Sequence, residues 1–227
     1  MAHYVMSDIH GEADRFHAML AKIQLSQNDT LYILGDVIDR GPDGISLLQE
    51  IMEMPNVVML LVNHEHMMFQ YMRPDADETA IRRWNKNGNG PTKSAFLHLK
   101  AKEQNKILTY LQNLPTHLEL EVEGRKFYLV HVFPGNNVHD EVWHRPKMDT
   151  QNPLPDCTVL IGHTPIPYLI TDEDERIQYA MDLEERGEHL RICHALGFID
   201  IDCGCGSEMP IQALACIRLE NMVEYYC

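Results

Sequence analysis

Short, continuous apolar runs alternate along the first third of this chain with longer stretches of helical spacing. Residues 2–7 (AHYVMS), 31–34 (LYIL) and 57–62 (VVMLLV) have the pattern of strands buried on both faces. Between them, Phe16, Met19, Leu20 and Ile23, and then Ile45, Leu48, Ile51 and Met52, recur at the spacing of one helix face. The order β-α-β-α-β predicts a parallel sheet with crossover helices. From Arg73 the pattern changes. Residues 74–78 are polar, 84–92 form an Asn- and Gly-rich loop, and 92–100 and 103–114 have helical patterning. The expectation is one domain over residues 1–227. Within it, a helical insertion over 73–114 leaves the sheet and returns in the manner of a lid.

The second half is built of shorter pieces. Residues 117–122 and 125–130 flank Glu123-Gly124, which predicts a β-hairpin. A loop containing Pro134, Gly135, Asn136 and Asn137 leads to Trp143-His144-Arg145 and a Pro-rich stretch over 146–155. Further strands are predicted at 158–161, 168–171, 198–202 and 212–219, with acidic loops at 172–175 and 184–185. The predicted fold class is α/β (α+β): two packed mixed sheets flanked by helices.

Composition narrows the function. The chain has 227 residues and a formal net charge of −15, which disfavours nucleic acid and anionic membranes as partners. A phosphate-handling site on it must therefore supply its own positive charge. No apolar run approaches the ~20 residues of a membrane-spanning helix, and the N-terminus carries no basic leader, so cytoplasm is the default expectation. The six cysteines include no CxxC pair and are expected to be free thiols. For Cys203-Gly-Cys205, packing on one strand face is favoured over a metal or redox role.

Five predicted strands run directly into metal-competent residues: Asp8-Ile9-His10, Gly35-Asp36, Asn63-His64, His131 and Gly162-His163. A lone histidine at a strand end is ordinarily a hydrogen-bonded bystander, as expected for His17, His98 and His117. Five such ends together are not, because strand ends on one sheet edge converge. Carboxylate, carboxamide and imidazole donors suit manganese, iron or zinc. Six ligands are too many for one closed zinc site and fit two ions, with Asp36 from the central strand between them.

The motifs SDIHG (7–11), GDVIDRG (35–41), VNHE (62–65), His131 and GHTP (162–165) resemble those of the calcineurin-like metallophosphoesterases. Within them the chain is similar to the phosphoprotein phosphatase branch, including its bacterial members and the symmetrical diadenosine tetraphosphate hydrolases. The resemblance implies a four-layer sandwich and two divalent metal ions, manganese foremost, with iron or zinc as alternatives. Asp8 and His10 would bind the first ion with Asp36, and Asp36, Asn63, His131 and His163 the second. His64 would be the general acid, with Asp39 bonded to its imidazole. Arg40, Asn63, Arg145 and Asn87 would contact the substrate phosphate. A hydroxide between the ions would attack phosphorus in line.

Three departures stand out. Ser7 and Val62 occupy positions where the family has glycine, and Leu61 stands where eukaryotic members have a phosphate-binding arginine. Arg145, in a W-x-R element like that of bacterial members, would replace it. Asn87 lies in a loop similar to their W-x-x-N-G-G-x-x-T element. The implied function is a phosphomonoesterase, foremost a serine/threonine or dual-specificity protein phosphatase acting on a phosphoprotein or small phosphoester. The alternatives are a symmetrical dinucleoside polyphosphate hydrolase of the same fold and a catalytically silent metal-stabilised scaffold.

Overall fold

The computed structural model describes residues 1–135, 143 and 145–227. Asn136, Asn137 and His144 of the expected loop and W-x-R element lie outside the described residues. The first third follows its apolar pattern: β1 (His3–Met6), α1 (Ala13–Ile23), β2 (Thr30–Ile33), α2 (Gly44–Glu53) and β3 (Val57–Met59). The strands β1, β2 and β3 pair in parallel, with Val5 opposite Tyr32 and Ile33 opposite Met59. Next come α3 (Asn63–Tyr71), α4 (Glu78–Asn85), α5 (Gly90–His98) and α6 (Ala101–Gln112).

The second half begins with the expected hairpin, β4 (His117–Val122) and β5 (Arg125–Val130). Both turn residues, Glu123 and Gly124, have positive φ (50° and 76°), as a twisted two-residue hairpin requires. After β6 (Thr158–Ile161), residues Ile166–Leu169 form a 3-10 turn rather than the strand expected at 168–171. Pro165 and Pro167 explain this, since neither can donate to a sheet ladder. The acidic stretch expected as loop is the helix α7 (Glu173–Glu185). Asp172 caps it by accepting a hydrogen bond from the Glu175 amide at 3.0 Å, and three acidic residues fill its first turn. The chain closes with β7 (Cys193–His194), β8 (Ile199–Asp200), β9 (Ala215–Arg218) and β10 (Val223–Tyr226).

Among the described residues the strands form two mixed five-stranded sheets, ordered β10-β9-β1-β2-β3 and β4-β5-β6-β8-β7, flanked by seven α-helices. Strand alternation separates the cores. Tyr4, Met6, Leu31 and Ile33 face the helices, whereas Val5, Leu34 and Ile217 meet Phe127, Leu129 and Leu160 between the sheets. Each fully buried aliphatic side chain in these layers stabilises the fold by about 1.5–3 kcal/mol. Trp84, Phe96, Ile107 and Leu111 of the insertion belong to the same core cluster as Ile33 and Leu48. Cys203 and Cys205 do not share a face. Gly204 between them turns at φ +76°, sending Cys203 into the inter-sheet core and Cys205 into the helix-side core.

Candidate metal centre and active site

The ends of β1, β2, β5 and β6 and the start of α3 meet at one buried place. Asp36, just past β2, is its centre. Its Oδ2 lies 3.4 Å from His131 Nε2, 3.5 Å from His10 Nε2 and 3.8 Å from His64 Nε2. His10, Asp36 and His64 form one potential ligand group and Asp36, His131 and His163 another, with Asp36 common to both. Asp8 Oδ1 is 3.9 Å from His10 Nε2, and its Oδ2 accepts the His163 amide at 2.9 Å. Asn63 opens α3 and is buried there.

The backbone is bent to achieve this. Asp8, His10, Asp36, Asp39, Arg40 and His163 all have φ between 49° and 70°. Such left-handed residues cost roughly 1–3 kcal/mol each and persist where surrounding contacts over-determine them. Asp8 and His10 are therefore brought together by a turn and not by strand alternation. The same contacts account for the two departures from glycine. A β-carbon on Gly162 would lie 2.2 Å from Ser7 Oγ, and one on Gly35 only 2.3 Å from Val62 Cγ2. Each added side chain thus faces a glycine that leaves room for it.

The donor set asks for cations. Among the described residues the buried charged groups are Asp8, Asp36, Asp39, Glu65, Asp200 and Asp202 with four imidazoles, and no lysine or arginine. Uncompensated carboxylates in such an interior cost several kcal/mol each. His10 Nε2, His131 Nε2 and Asn63 Oδ1 are buried without a hydrogen-bond partner. His10 Nδ1 donates to the Ile38 carbonyl at 3.1 Å, which fixes the tautomer and leaves Nε2 as a free donor atom for a metal. Burial acts to raise Asp36, yet His64 and His131 hold its carboxyl well below the usual carboxylate range. Burial lowers His131, but Asp36 beside it lifts the imidazole to about 9. Burial also pushes Asp200 and Asp202 well above that range, and Asp200 Oδ2 has no hydrogen-bond partner. The residues fit a pair of divalent ions, and the family and these clusters together suggest a dinuclear site.

Around this centre, His64 Nδ1 donates to Asp39 Oδ2 at 2.7 Å. Burial alone would lower His64, but Asp36 and the bond to Asp39 outweigh it and raise its pKa. Arg40 and Arg145 are exposed and line one cavity of about 600 Å³ with His163 and Tyr168. Arg145 Nε donates to His163 Nε2 at 3.2 Å. A second cavity of about 530 Å³ lies against Arg40, Gly88 and Pro91. The structure does not bring Asn87 to these cavities. Its side-chain amide donates to the Arg83 carbonyl at 2.6 Å, closing the end of α4.

Glu65 was not anticipated. Its carboxylate accepts from the amides of Asp36, Val37 and Ile38, at 3.2, 2.9 and 3.3 Å, and so holds the loop after β2 from behind. Its position beside Asn63-His64 was the available signal. The sequence pattern marks Asp200 and Asp202 only as strand residues. Ser207 and Glu208, which line both cavities, lay in a stretch with no distinguishing pattern.

An α/β sandwich whose strand ends gather carboxylates and imidazoles around one shared aspartate is suited to holding metal ions. Residues 1–195 match the calcineurin-like phosphoesterases, and the chain belongs to that family. Among curated proteins it is similar to the symmetrical bis(5'-nucleosyl)-tetraphosphatase of Wigglesworthia glossinidia brevipalpis, 42% identical over 67 residues, covering 29% of this chain and 25% of the relative. The Yersinia pestis (strain Pestoides F) protein of the same name is 38% identical over 74 residues, 31% of this chain and 26% of the relative. The matched segments thus span about a quarter of the length of these relatives. The fold is similar to a solved structure described as a "putative diadenosine tetraphosphatase", with TM-score 0.62 and 14% identity over 100% of this chain and 92% of that one. It is equally similar to a serine/threonine phosphatase from Saccharomyces cerevisiae, with TM-score 0.62 and 13% identity over 96% of this chain and 72% of that one. No described helix is long and apolar enough to cross a membrane.

Proposed function

We propose that this chain hydrolyses phosphoric esters and anhydrides at a dinuclear metal site, with dinucleoside polyphosphates as its substrate class. The observation that carries the reading is the single carboxylate oxygen of Asp36 set 3.4–3.8 Å from three imidazoles, with the His64–Asp39 pair beside it. Asp8, His10 and Asp36 would hold one ion, and Asp36, Asn63, His131 and His163 the other. Bound there, two divalent ions supply Lewis-acid charge and a strong nucleophile at neutral pH. Manganese suits these nitrogen and oxygen donors, as do iron and zinc.

The chain's own groups do the rest. Arg40 and Arg145 face a common cavity and present donors to phosphoryl oxygens, so Arg145 takes the place of the arginine absent at Leu61. The proton that Asp39 keeps on His64 Nδ1 leaves Nε2, 3.8 Å from Asp36 Oδ2, to carry the proton that His64 would donate to the departing oxygen. Intact Asp39, His64 and Arg40 argue against a silent scaffold.

Two observations favour a dinucleoside polyphosphate over a phosphoprotein. The curated relatives are symmetrical tetraphosphatases by name. Cavities of about 530 and 600 Å³ also meet at Arg40, which gives room for a substituent on each side of a bound phosphate chain. The phosphomonoesterase reading rests on the GDVIDRG and NHE motifs, which both activities share. The test is a substrate panel on the manganese-loaded chain. Release of nucleoside diphosphate from diadenosine tetraphosphate, with kcat/KM at least about tenfold above that for phosphopeptides, is the expected result. The reverse ranking would return the protein-phosphatase reading.

A further inference from the structure

In the proposed reaction Asp39 has one duty, to orient His64. The structure shows that Asp39 is itself held by the helical insertion. Its Oδ2 accepts two hydrogen bonds, one from His64 Nδ1 at 2.7 Å and one from the indole Nε1 of Trp84 at 2.8 Å. Trp84 is fully buried at the end of α4, with its ring centroid 4.9 Å from that of Tyr71. Indole N–H is a donor only and does not titrate, so it can hold an ionised carboxylate without ever competing for the imidazole proton.

The same loop grips the backbone. The Asp39 amide donates to Thr92 Oγ1 at 2.8 Å, and the Arg40 amide donates to the Gly88 carbonyl at 2.9 Å. Gly88 is needed for that approach: its φ is +77°, and a β-carbon there would lie 3.1 Å from Arg40 Cγ. Asp39 and Arg40, left-handed at φ 70° and 66°, thus sit in a clamp formed by Trp84, Gly88 and Thr92. Gly88, Gly90 and Pro91 of this loop line a cavity together with Arg40.

We propose that Trp84 is a positioning residue for the His64 acid, acting through Asp39, and that the loop from Trp84 to Thr92 forms part of the catalytic apparatus. The inference rests on the reading of His64 as proton donor. A purely structural tryptophan would affect all substrates alike. A positioning residue affects those whose leaving oxygen needs a proton, because general acid catalysis matters most for basic leaving groups.

The test compares Trp84→Phe, which keeps an aromatic ring and removes only the N–H, with His64→Asn. Both are measured as metal-loaded full chains on p-nitrophenyl phosphate and on phenyl phosphate, whose leaving group is more basic. For Trp84→Phe the expected result is a kcat loss of about tenfold or more on phenyl phosphate, a loss of less than about threefold on p-nitrophenyl phosphate, and an unchanged KM. An equal loss on both substrates, with His64→Asn still selective, overturns the proposal alone. If His64→Asn is itself unselective, the acid reading falls and the proposal with it.

A second readout does not use activity. The chain has two tryptophans, so the Trp84 indole N–H resonance is assignable by its loss in Trp84→Phe. In the wild-type chain, with and without metal, it is expected to exchange slowly with solvent and to shift in Asp39→Asn. Fast exchange, or insensitivity to Asp39→Asn, overturns the proposal even where Trp84→Phe does not fold.

Discussion

Gly35 shows how single residues hold this site. It turns at φ +102°, and its missing β-carbon is the space that Val62 occupies. Gly35→Ala is expected to destabilise the chain by about 2–4 kcal/mol, from overpacking and backbone strain together. Adding Val62→Gly should recover only the packing part. Urea unfolding of the two single variants and the double variant measures this coupling, and strict additivity would contradict it. Glu65 is a stronger case. Removing a buried acceptor of three amides by Glu65→Ala is expected to cost about 3 kcal/mol or more and to weaken metal binding, because Asp36 loses its backing. A midpoint unchanged in urea would contradict the role. At this scale the sequence revealed the groups and hid their partners. Asp36 and His64 are legible because their residue types are unusual at strand ends, and Asp39 through the resemblance of GDVIDRG to the family motif. Glu65 and Trp84 act through bonds to residues 25 or more positions away, and residue type alone does not announce such bonds.

Elements were most legible where both faces of a strand are buried. Continuous apolar runs marked β1, β2 and β3, and alternating helix faces marked α1 and α2. The sequence said less where burial is one-sided or slight. In α7 only Leu183 is buried, so no apolar stripe betrays the helix, although Asp172 with its acidic first turn is an N-cap signature. The strand β10 has an exposed Val223 and three half-buried residues, and pairs only at the sheet edge with β9. The joint between β9 and β1 carries a pH-dependent bond. Glu220 accepts from the His3 amide at 2.9 Å, from His3 Nδ1 at 2.7 Å and from Arg218 Nε at 3.1 Å. Burial pushes Glu220 up, but these donors outweigh it and hold its pKa below the usual glutamate value. A depressed carboxylate contributes stability above its unfolded pKa and loses it as pH falls through the folded value. Glu220→Gln is therefore expected to be destabilised at pH 7 and to converge with wild type as pH drops below about 4. Parallel stability curves over that range would contradict the assignment.

For the whole molecule, charge is the organising constraint. Among the described residues, a chain of net charge −15 buries six acidic side chains and keeps the arginines near the site, Arg40 and Arg145, at the surface. Such an interior is expected to depend on bound cations for stability as well as chemistry. Chelation should lower the melting temperature and added manganese restore it, with a stabilisation of about 2.7 kcal/mol at a metal concentration one hundred times Kd. A melting curve indifferent to chelator would contradict this. The sandwich and the convergence of strand ends were legible in the order of the motifs. The division of those ends between two facing sheets was not, because periodicity marks strands without saying which sheet each joins. In the proposed dinuclear site one residue, Asp36, serves both ions. Calorimetric titration of wild type and Asp36→Asn with manganese tests this. Two equivalents bound by wild type and neither site retained by the variant is the expected result. An Asp36→Asn chain that still binds one equivalent with wild-type affinity would contradict it.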